Sequence, residues 1–407
     1  MTASPKRSYV FITQVYVPDP NATGQHLADV AEELAERGHN VVVYTSNRGY
    51  DNPENYYPRA EVRNGVTIRR LPLSHFGKSS IAVRILGGLS FVGQAIARAS
   101  MRGKVDTVVV STSPPMAPIA AIVLRALRRA RVKYWVMDIN PDQIVALGMA
   151  RPTAMSVRAF NFLNRQILKA ADDIVVLDRM MADTINRKHH VREKMSILPP
   201  WPAQDPTHLL PHEENPFRAK YVGDDRRVIM YSGNHSPANP LDTILEAAKR
   251  LKDDPRLLFM FIGGGIGKEE IDRLARSSGN IVSLPYQPRA ELRNSLSAAD
   301  VHIVTIGDAV PGIVHPSKVY GAMAVGRPIL LVGPPENHVA DIMAQHDIGW
   351  HVRHGDVEGA VKVLEEIGSM PSEALEEKGR RAYDAIVAGG GRQAAVDRVA
   401  DIMESLR

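Results

Sequence analysis

Short apolar runs punctuate the first half of the chain: YVFITQVY, NVVVYTS, VTIRRL, VDTVVVS, VKYWVM and DIVVLD. Each is rich in β-branched or aromatic residues and bounded by polar or turn residues, which predicts buried strands. Helix-length amphipathic segments separate most of them. GQHLADVAEELAERG, for example, closes on a glycine of the kind that ends helices. Strand–helix alternation of this sort predicts a mostly parallel sheet with helices on both faces.

The pattern collapses at SILPPWPAQDPTHLLPHEENP, where five prolines fall between Pro199 and Pro211 and read as a linker. Beyond it the alternation restarts with RRVIMYSG, LLFMFIGG, NIVSLP, DVHIVTI and RPILLVG. The expected architecture is α/β: two doubly wound, Rossmann-like domains facing a cleft at their strand C-termini. Residues 1–200 form the first domain and 201–387 the second, and 388–407 a C-terminal helix that packs back on the first. The tail from Ser372 to Arg407 reads as helices broken at Gly389-Gly390-Gly391.

Composition sharpens this picture at three points. A chain of 407 residues that is 44% hydrophobic is long enough for two packed cores. The absence of cysteine excludes a disulfide framework and cysteine metal sites or nucleophiles. No run of 18 apolar residues occurs, and the N-terminal apolar run breaks at Pro18, so neither a spanning helix nor a signal peptide is expected. The expected location is cytoplasmic. Charge is split between the halves: residues 1–200 carry 27 Lys/Arg against 16 Asp/Glu, and residues 201–407 carry 23 against 29. A basic half suits phosphate-rich or membrane partners, and equally a set of solvated arginine-rich helices.

The densest candidate chemistry is VPGIVHPSKVYGAMAVGRPIL, Val310 to Leu330. Pro316 suits the first position of a helix, which would aim the Ser317 and Lys318 N–H groups, a hydroxyl and an ammonium at one point. An anion fits there. IGGGIGKEE, from Ile262, fails both G-x-G-x-x-G and the P-loop, and reads as a strand-to-helix turn. Other strand-end loops offer Gly24 at the first long helix, Asp138 and Asp142 in WVMDINPDQ, and Asn234, His235 and Asn239 in YSGNHSPANPLD. Any one of them could be a cap or a turn; together they converge on one cleft. The chain has no D-x-D and no G-x-S-x-G, so neither a metal nor a nucleophile elbow is expected.

The ordered blocks SPP, DINPD, LPPW, YSGN, FIGGG, LPYQP and PSKVYGAMAVGRP resemble the family 4 GT-B retaining glycosyltransferases. The likeness runs from Val15 to about Gly355. It is strongest to the bacterial capsule, O-antigen and colanic-acid transferases of the L-fucosamine transferase type. The resemblance implies transfer of a sugar from a nucleotide diphosphate, a UDP-sugar, to a saccharide or polyprenyl-linked acceptor in cell-surface polysaccharide biosynthesis. It implies no metal or other cofactor and no nucleic acid. Carried over block by block, it assigns donor contacts to Gly24, Gly233, Asn234, Gly264, Tyr286, Gln287, His315, Ser317 and Lys318. Acceptor contacts fall on His26 and Asp142, and catalysis on Asp138 and Lys318. A GT-B nucleotide-sugar 2-epimerase and a non-catalytic nucleotide-sugar-binding homologue are the alternatives.

Four residues at three places depart from the wider family. Gly321 stands where many members hold the ribose with Glu, Asn234 and Asn239 stand where many grip the diphosphate with Arg and Lys, and Met137 replaces a His before Asp138. Charge-assisted bonds are roughly twice as strong as neutral ones, so Lys318 and its helix end are expected to compensate.

One further segment bears on location. HFGKSSIAVRILGGLSFVGQAIARASMRGK places Ile81, Ile85, Leu89, Val92 and Ile96 at helical spacing among Lys78, Arg84, Arg98, Arg102 and Lys104, and RALRRARVK follows. Such a helix fits an anionic membrane surface, as a peripheral protein on the inner face of the cytoplasmic membrane. It fits equally a helix whose apolar stripe is buried on a sheet.

Overall fold

The computed structural model describes residues 5–19, 21–49, 54–74, 81–203, 205 and 209–406. Lys78 and the side chains of Ile81, Arg84 and Ile85, part of the membrane face expected above, lie outside the described residues. The chain divides into two compact units, Met1–Pro199 with Ala395–Arg407, and Pro200–Ala394.

The first unit is built on eight strands: β1 (Ser8–Ile12), β2 (Asn40–Ser46), β3 (Ala60–Arg63), β4 (Val66–Leu71), β5 (Thr107–Ser111), β6 (Arg131–Trp135), β7 (Asp173–Val176) and β8 (Met195–Ile197). Their order is β3-β4-β2-β1-β5-β6-β7-β8. All pairs are parallel except β3 with β4, which the Asn64-Gly65 turn joins as a hairpin with positive φ at both residues. The central strands β1 and β5 are buried along their whole length, as parallel strands covered on both faces require.

The second unit holds β9 (Arg227–Asn234), β10 (Leu257–Gly264), β11 (Ile281–Leu284), β12 (Val301–Thr305), β13 (Ile329–Val332) and β14 (Gly349–Val352), in the order β11-β10-β9-β12-β13-β14. Period-two alternation divides its core. Ile229, Tyr231, Phe259 and Phe261 pack on one face of the sheet, while Val228, Met230, Leu258 and Met260 pack on the other.

Both sheets are doubly wound. In the first the order reverses between β1 and β5, in the second between β9 and β12, and loops leaving the carboxyl ends at such points form crevices.

The chain's last helix, Gly391–Glu404, returns to the first unit. Arg37 bonds Asp401 and Glu404 there, each at 2.7 Å, and His39 Nε2 lies 2.6 Å from Glu404.

Two local expectations need correction. The helix expected to start at Pro316 starts at Lys318 and runs only to Ala324, and Ser317 precedes it without a side-chain capping bond. Seven residues make a short dipole, so positive charge at this site rests on the ammonium. In the helix Ile81–Ser100, Val92 is buried and Leu89 is exposed, so the expected stripe is not one environment. Phe91, Val92, Ala95 and Ala99 form the buried face, because a helix in a doubly wound unit turns its own apolar stripe to the sheet.

Candidate active site

The reversal point of the second sheet gathers three loops. The β9 and β12 loops are tied by the Gly307 N–H, which donates to Ala238 O at 2.9 Å. The β9 and β10 ends run side by side, with Gly233 opposite Gly263 and Asn234 opposite Gly264. Glycine is required at this crossing. A Cβ on Gly263 would lie 2.0 Å from Gly233 O, and one on Gly233 would lie 2.2 Å from Lys318 Cε. Lys318 thus reaches the crevice by crossing the bare backbone of Gly233.

Its ammonium sits 5.3 Å from the centre of the Tyr231 ring. Among the described residues no carboxylate lies within ion-pair distance of it. Burial pushes the amine down to about 8. A partly desolvated cation beside an aromatic face has the chemistry to receive an anion. Gly264 and Tyr286 line the same edge, since a Cβ on Gly264 would touch the Tyr286 ring at 3.1 Å. Asn234 is exposed. Gln287 turns its amide back to Pro285 O at 2.8 Å. His315 is buried and stacks on Tyr320, whose hydroxyl lies 3.0 Å from His315 Nε2 and 2.7 Å from His338 Nε2. Sequence reasoning missed this His–Tyr–His chain, because His338 comes from a different strand-end loop. Gly321 borders a small pocket with Leu292, Leu296, Ala324 and Val325.

In the first unit, Asp138 follows β6. The Thr112 hydroxyl, from the β5 loop, accepts the Met137 and Asp138 N–H groups at 3.3 Å each. Burial raises the Asp138 carboxyl to about 6, near the pH where a proton or a developing cation is handled. Asp138 lines a small pocket with Tyr134, Asn140, Asn164 and Thr184. Asp142 borders it too, but its carboxylate is held by Lys188. His26 is buried in the helix Ala22–Glu36. A Cβ on Gly24 would lie 3.0 Å from Tyr16 Cα, so that glycine lets the helix start close on the β1 loop. No group of three or more His, Asp or Glu able to hold a metal occurs among the described residues.

A model described as a Glycosyl transferase 4-like domain matches residues 21–201, and one described as Glycosyl transferases group 1 matches residues 213–384. The chain belongs to the family 4 GT-B glycosyltransferases. This glycosyltransferase is 28% identical over 329 residues to WcaI of Escherichia coli K12, named for colanic acid biosynthesis, covering 76% of this chain and 79% of that one. It is 26% identical over 273 residues to WbjE of Pseudomonas aeruginosa, named a probable glycosyltransferase, covering 66% of this chain and 68% of that one. Among solved structures it shares its fold with sucrose-phosphate synthase of Thermosynechococcus elongatus at a TM-score of 0.77, with 13% identity over 98% of each chain. Anabaena HepE in complex with UDP-glucose matches at a TM-score of 0.68, with 12% identity over 98% of this chain and 100% of that one.

Proposed function

We propose that this glycosyltransferase moves a sugar from a UDP-sugar, with retention, to a saccharide carried on a polyprenyl lipid in cell-surface polysaccharide biosynthesis. The observation that carries the donor half is Lys318, a half-buried lysine at the reversal point of the second sheet whose ammonium has no carboxylate partner among the described residues. The UDP-glucose complex of HepE, on the same fold, supports uridine as the base. The naming of WcaI for colanic acid biosynthesis supports a polysaccharide acceptor.

The chemistry follows from charge. As the anomeric C–O bond breaks, negative charge grows on the departing diphosphate and the sugar becomes oxocarbenium-like. An ammonium already desolvated beside the Tyr231 face meets that growing charge without reorganising solvent. It takes the place of the two cations that Asn234 and Asn239 do not supply. Asp138, in its ionised form, orients the acceptor hydroxyl or faces the cationic sugar. Retention then follows from attack on the face the diphosphate leaves.

The lipid-linked acceptor makes an anionic membrane surface the second partner. Three helices that pack side by side, Ile81–Ser100, Ala117–Arg128 and Met155–Ala170, contain no Asp or Glu. They expose Leu86, Leu89, Leu127, Met155 and Phe162.

The test is nucleotide release from UDP-, GDP- and TDP-sugars with and without polyprenyl-diphosphate saccharides. Acceptor-dependent UDP release with a product keeping the donor's anomeric configuration is the expected result. UDP release with free sugar alone, whatever acceptor is present, would point to an epimerase or hydrolase instead.

A further inference from the structure

His235 is the unexplained group of the donor crevice. It is 2% exposed, and neither Nδ1 nor Nε2 has a hydrogen-bond partner among the described residues. Buried polar atoms left unpaired in a native fold are few and usually serve something. The backbone around it is fixed from both sides: His235 N–H donates to Gly264 O at 2.7 Å, and Gly267 N–H donates to His235 O at 3.0 Å. Gly265 must be bare for this turn to close, since a Cβ there would lie 2.8 Å from His235 O. The ring rests 5.4 Å from that of Tyr231, the same ring that carries the Lys318 ammonium.

We propose that His235 is a ligand of the donor diphosphate, which it binds as the imidazolium, taking up one proton from solvent as the nucleotide-sugar enters and returning it when the nucleotide leaves. The proposal rests on the donor-site reading given above. With the backbone pinned, approach to the ligand would be by rotation of the side chain away from Tyr231.

The charges around it give the proton its reason. In the empty site, burial first, then Lys268 and Lys318, lower the imidazole to about 4, and Asp272 opposes them only in part. Lys268 is itself opposed: its ammonium lies 3.4 Å from the Asp272 carboxylate and also bonds Ser283 Oγ at 2.6 Å and Leu284 O at 2.7 Å. Tyr231 adds no charge at working pH, because burial raises its phenol far above the usual range. Tyr286 stands beyond Gly264, and the charged groups acting on His235 are Lys268, Lys318 and Asp272. The unopposed cation facing His235 is therefore Lys318. A diphosphate that pairs with Lys318 cancels the repulsion and adds two negative charges near the ring. Both changes favour the imidazolium.

UDP-glucose is the probe, because its doubly esterified diphosphate holds constant charge above pH 4. Calorimetric titration at pH 5.5 to 7.5, in buffers of different ionisation enthalpy, counts the protons taken up on binding. The expected result is uptake approaching one proton at the acidic end, with affinity falling up to about tenfold per pH unit across the window. In His235→Asn the uptake and the slope at the acidic end of the window disappear, leaving only the fraction of a proton that Lys318 takes up near pH 7.5, while UDP-glucose still binds through Lys318. Should that variant not fold, the wild-type proton count decides alone. A count of zero throughout, or equal counts in wild type and variant, overturns the role of His235. If wild type binds no UDP-, GDP- or TDP-sugar at all, the donor-site reading itself falls, and this inference with it.

Discussion

At the scale of single residues, the proposed donor crevice is built on one cation crossing one glycine, Lys318 over Gly233. Lys318→Ala should weaken UDP-glucose binding by about 1.5–3 kcal/mol, the range for hydrogen bonds to charged groups, as read by calorimetry. Because burial holds the amine at about 8 when the site is empty, binding above that pH must also protonate it. Wild-type affinity should fall by about tenfold per unit on the alkaline side, and Lys318→Ala should lose that limb. Gly233→Ala tests the same contact from the other side. Gly233 has φ of +149°, and its new methyl would collide with Lys318 Cε. The two substitutions act on one contact, so the double variant should bind little worse than Lys318→Ala alone. Additive losses would mean that Lys318 reaches the ligand by another route. The sequence made Lys318 legible, because His-Pro-Ser-Lys on a strand-end loop is an unusual place for a bare ammonium. It left Gly233 as one of a block. Only the crossing of β9 and β10 reveals that the lysine runs over its backbone. His235 stood in the same quoted loop without a role, since burial and the lack of partners are properties no one-dimensional pattern carries.

At the scale of elements, legibility followed burial. Every apolar run except NIVSLP, which became the edge strand β11, became an interior strand, because a strand covered on both faces has to be apolar throughout. The strands missed were β3, β8 and β14, all at or next to sheet edges, where half or more of the positions contact water and the apolar signal fades. Asn64-Gly65 was a readable hairpin signal for β3, overlooked because the flanking AEVR is polar. The helix at Lys318 began late because the Ser317 N–H bonds back to His315 O at 2.9 Å, holding Pro316 in a turn rather than a first helical position. No pattern announced the bond that anchors the chain's end. Lys133 on β6 and Asp173 on β7 are each 1% exposed and pair in the core, and the Lys133 ammonium also bonds Ser405 O at 2.9 Å and Ser405 Oγ at 2.7 Å. Burial lowers the Lys133 amine, so its charge persists only with these partners. Asp173→Asn should therefore cost the first unit about 3–5 kcal/mol, the usual penalty for leaving one member of a buried pair alone. The measurement is the urea midpoint of that unit. Replacing both members with Met and Leu should recover most of the loss, whereas an unshifted midpoint in Asp173→Asn would show that the pair adds nothing.

At the scale of the whole molecule, the feature that composition foreshadowed is the uneven charge. Residues 1–200 carry the excess of cations, and within them the carboxylates avoid three neighbouring helices altogether. In Met155–Ala170 the exposed Met155 and Phe162 lie seven residues apart, on one face, and Arg158 and Arg165 are exposed beside them. The apolar stripe expected of Ile81–Ser100 proved to be partly core, so the membrane argument moves from one helix to the surface the three share. Among the described residues no helix is long and apolar enough to cross a membrane. Aromatic and aliphatic side chains flanked by arginine are what an interfacial surface presents to an anionic leaflet. Co-sedimentation with vesicles of rising phosphatidylglycerol content tests it. Binding should grow with anionic lipid and fall as salt screens the attraction. Phe162→Asp removes apolar area and adds repulsion at an exposed site, so it should lower vesicle binding while leaving UDP-glucose affinity unchanged. Arg158→Glu with Arg165→Glu should do the same and flatten the salt dependence. Wild-type protein remaining in the supernatant on strongly anionic vesicles at low salt would leave these helices as solvated arginines around scattered apolar side chains, and the acceptor would then have to be presented to a protein free in solution.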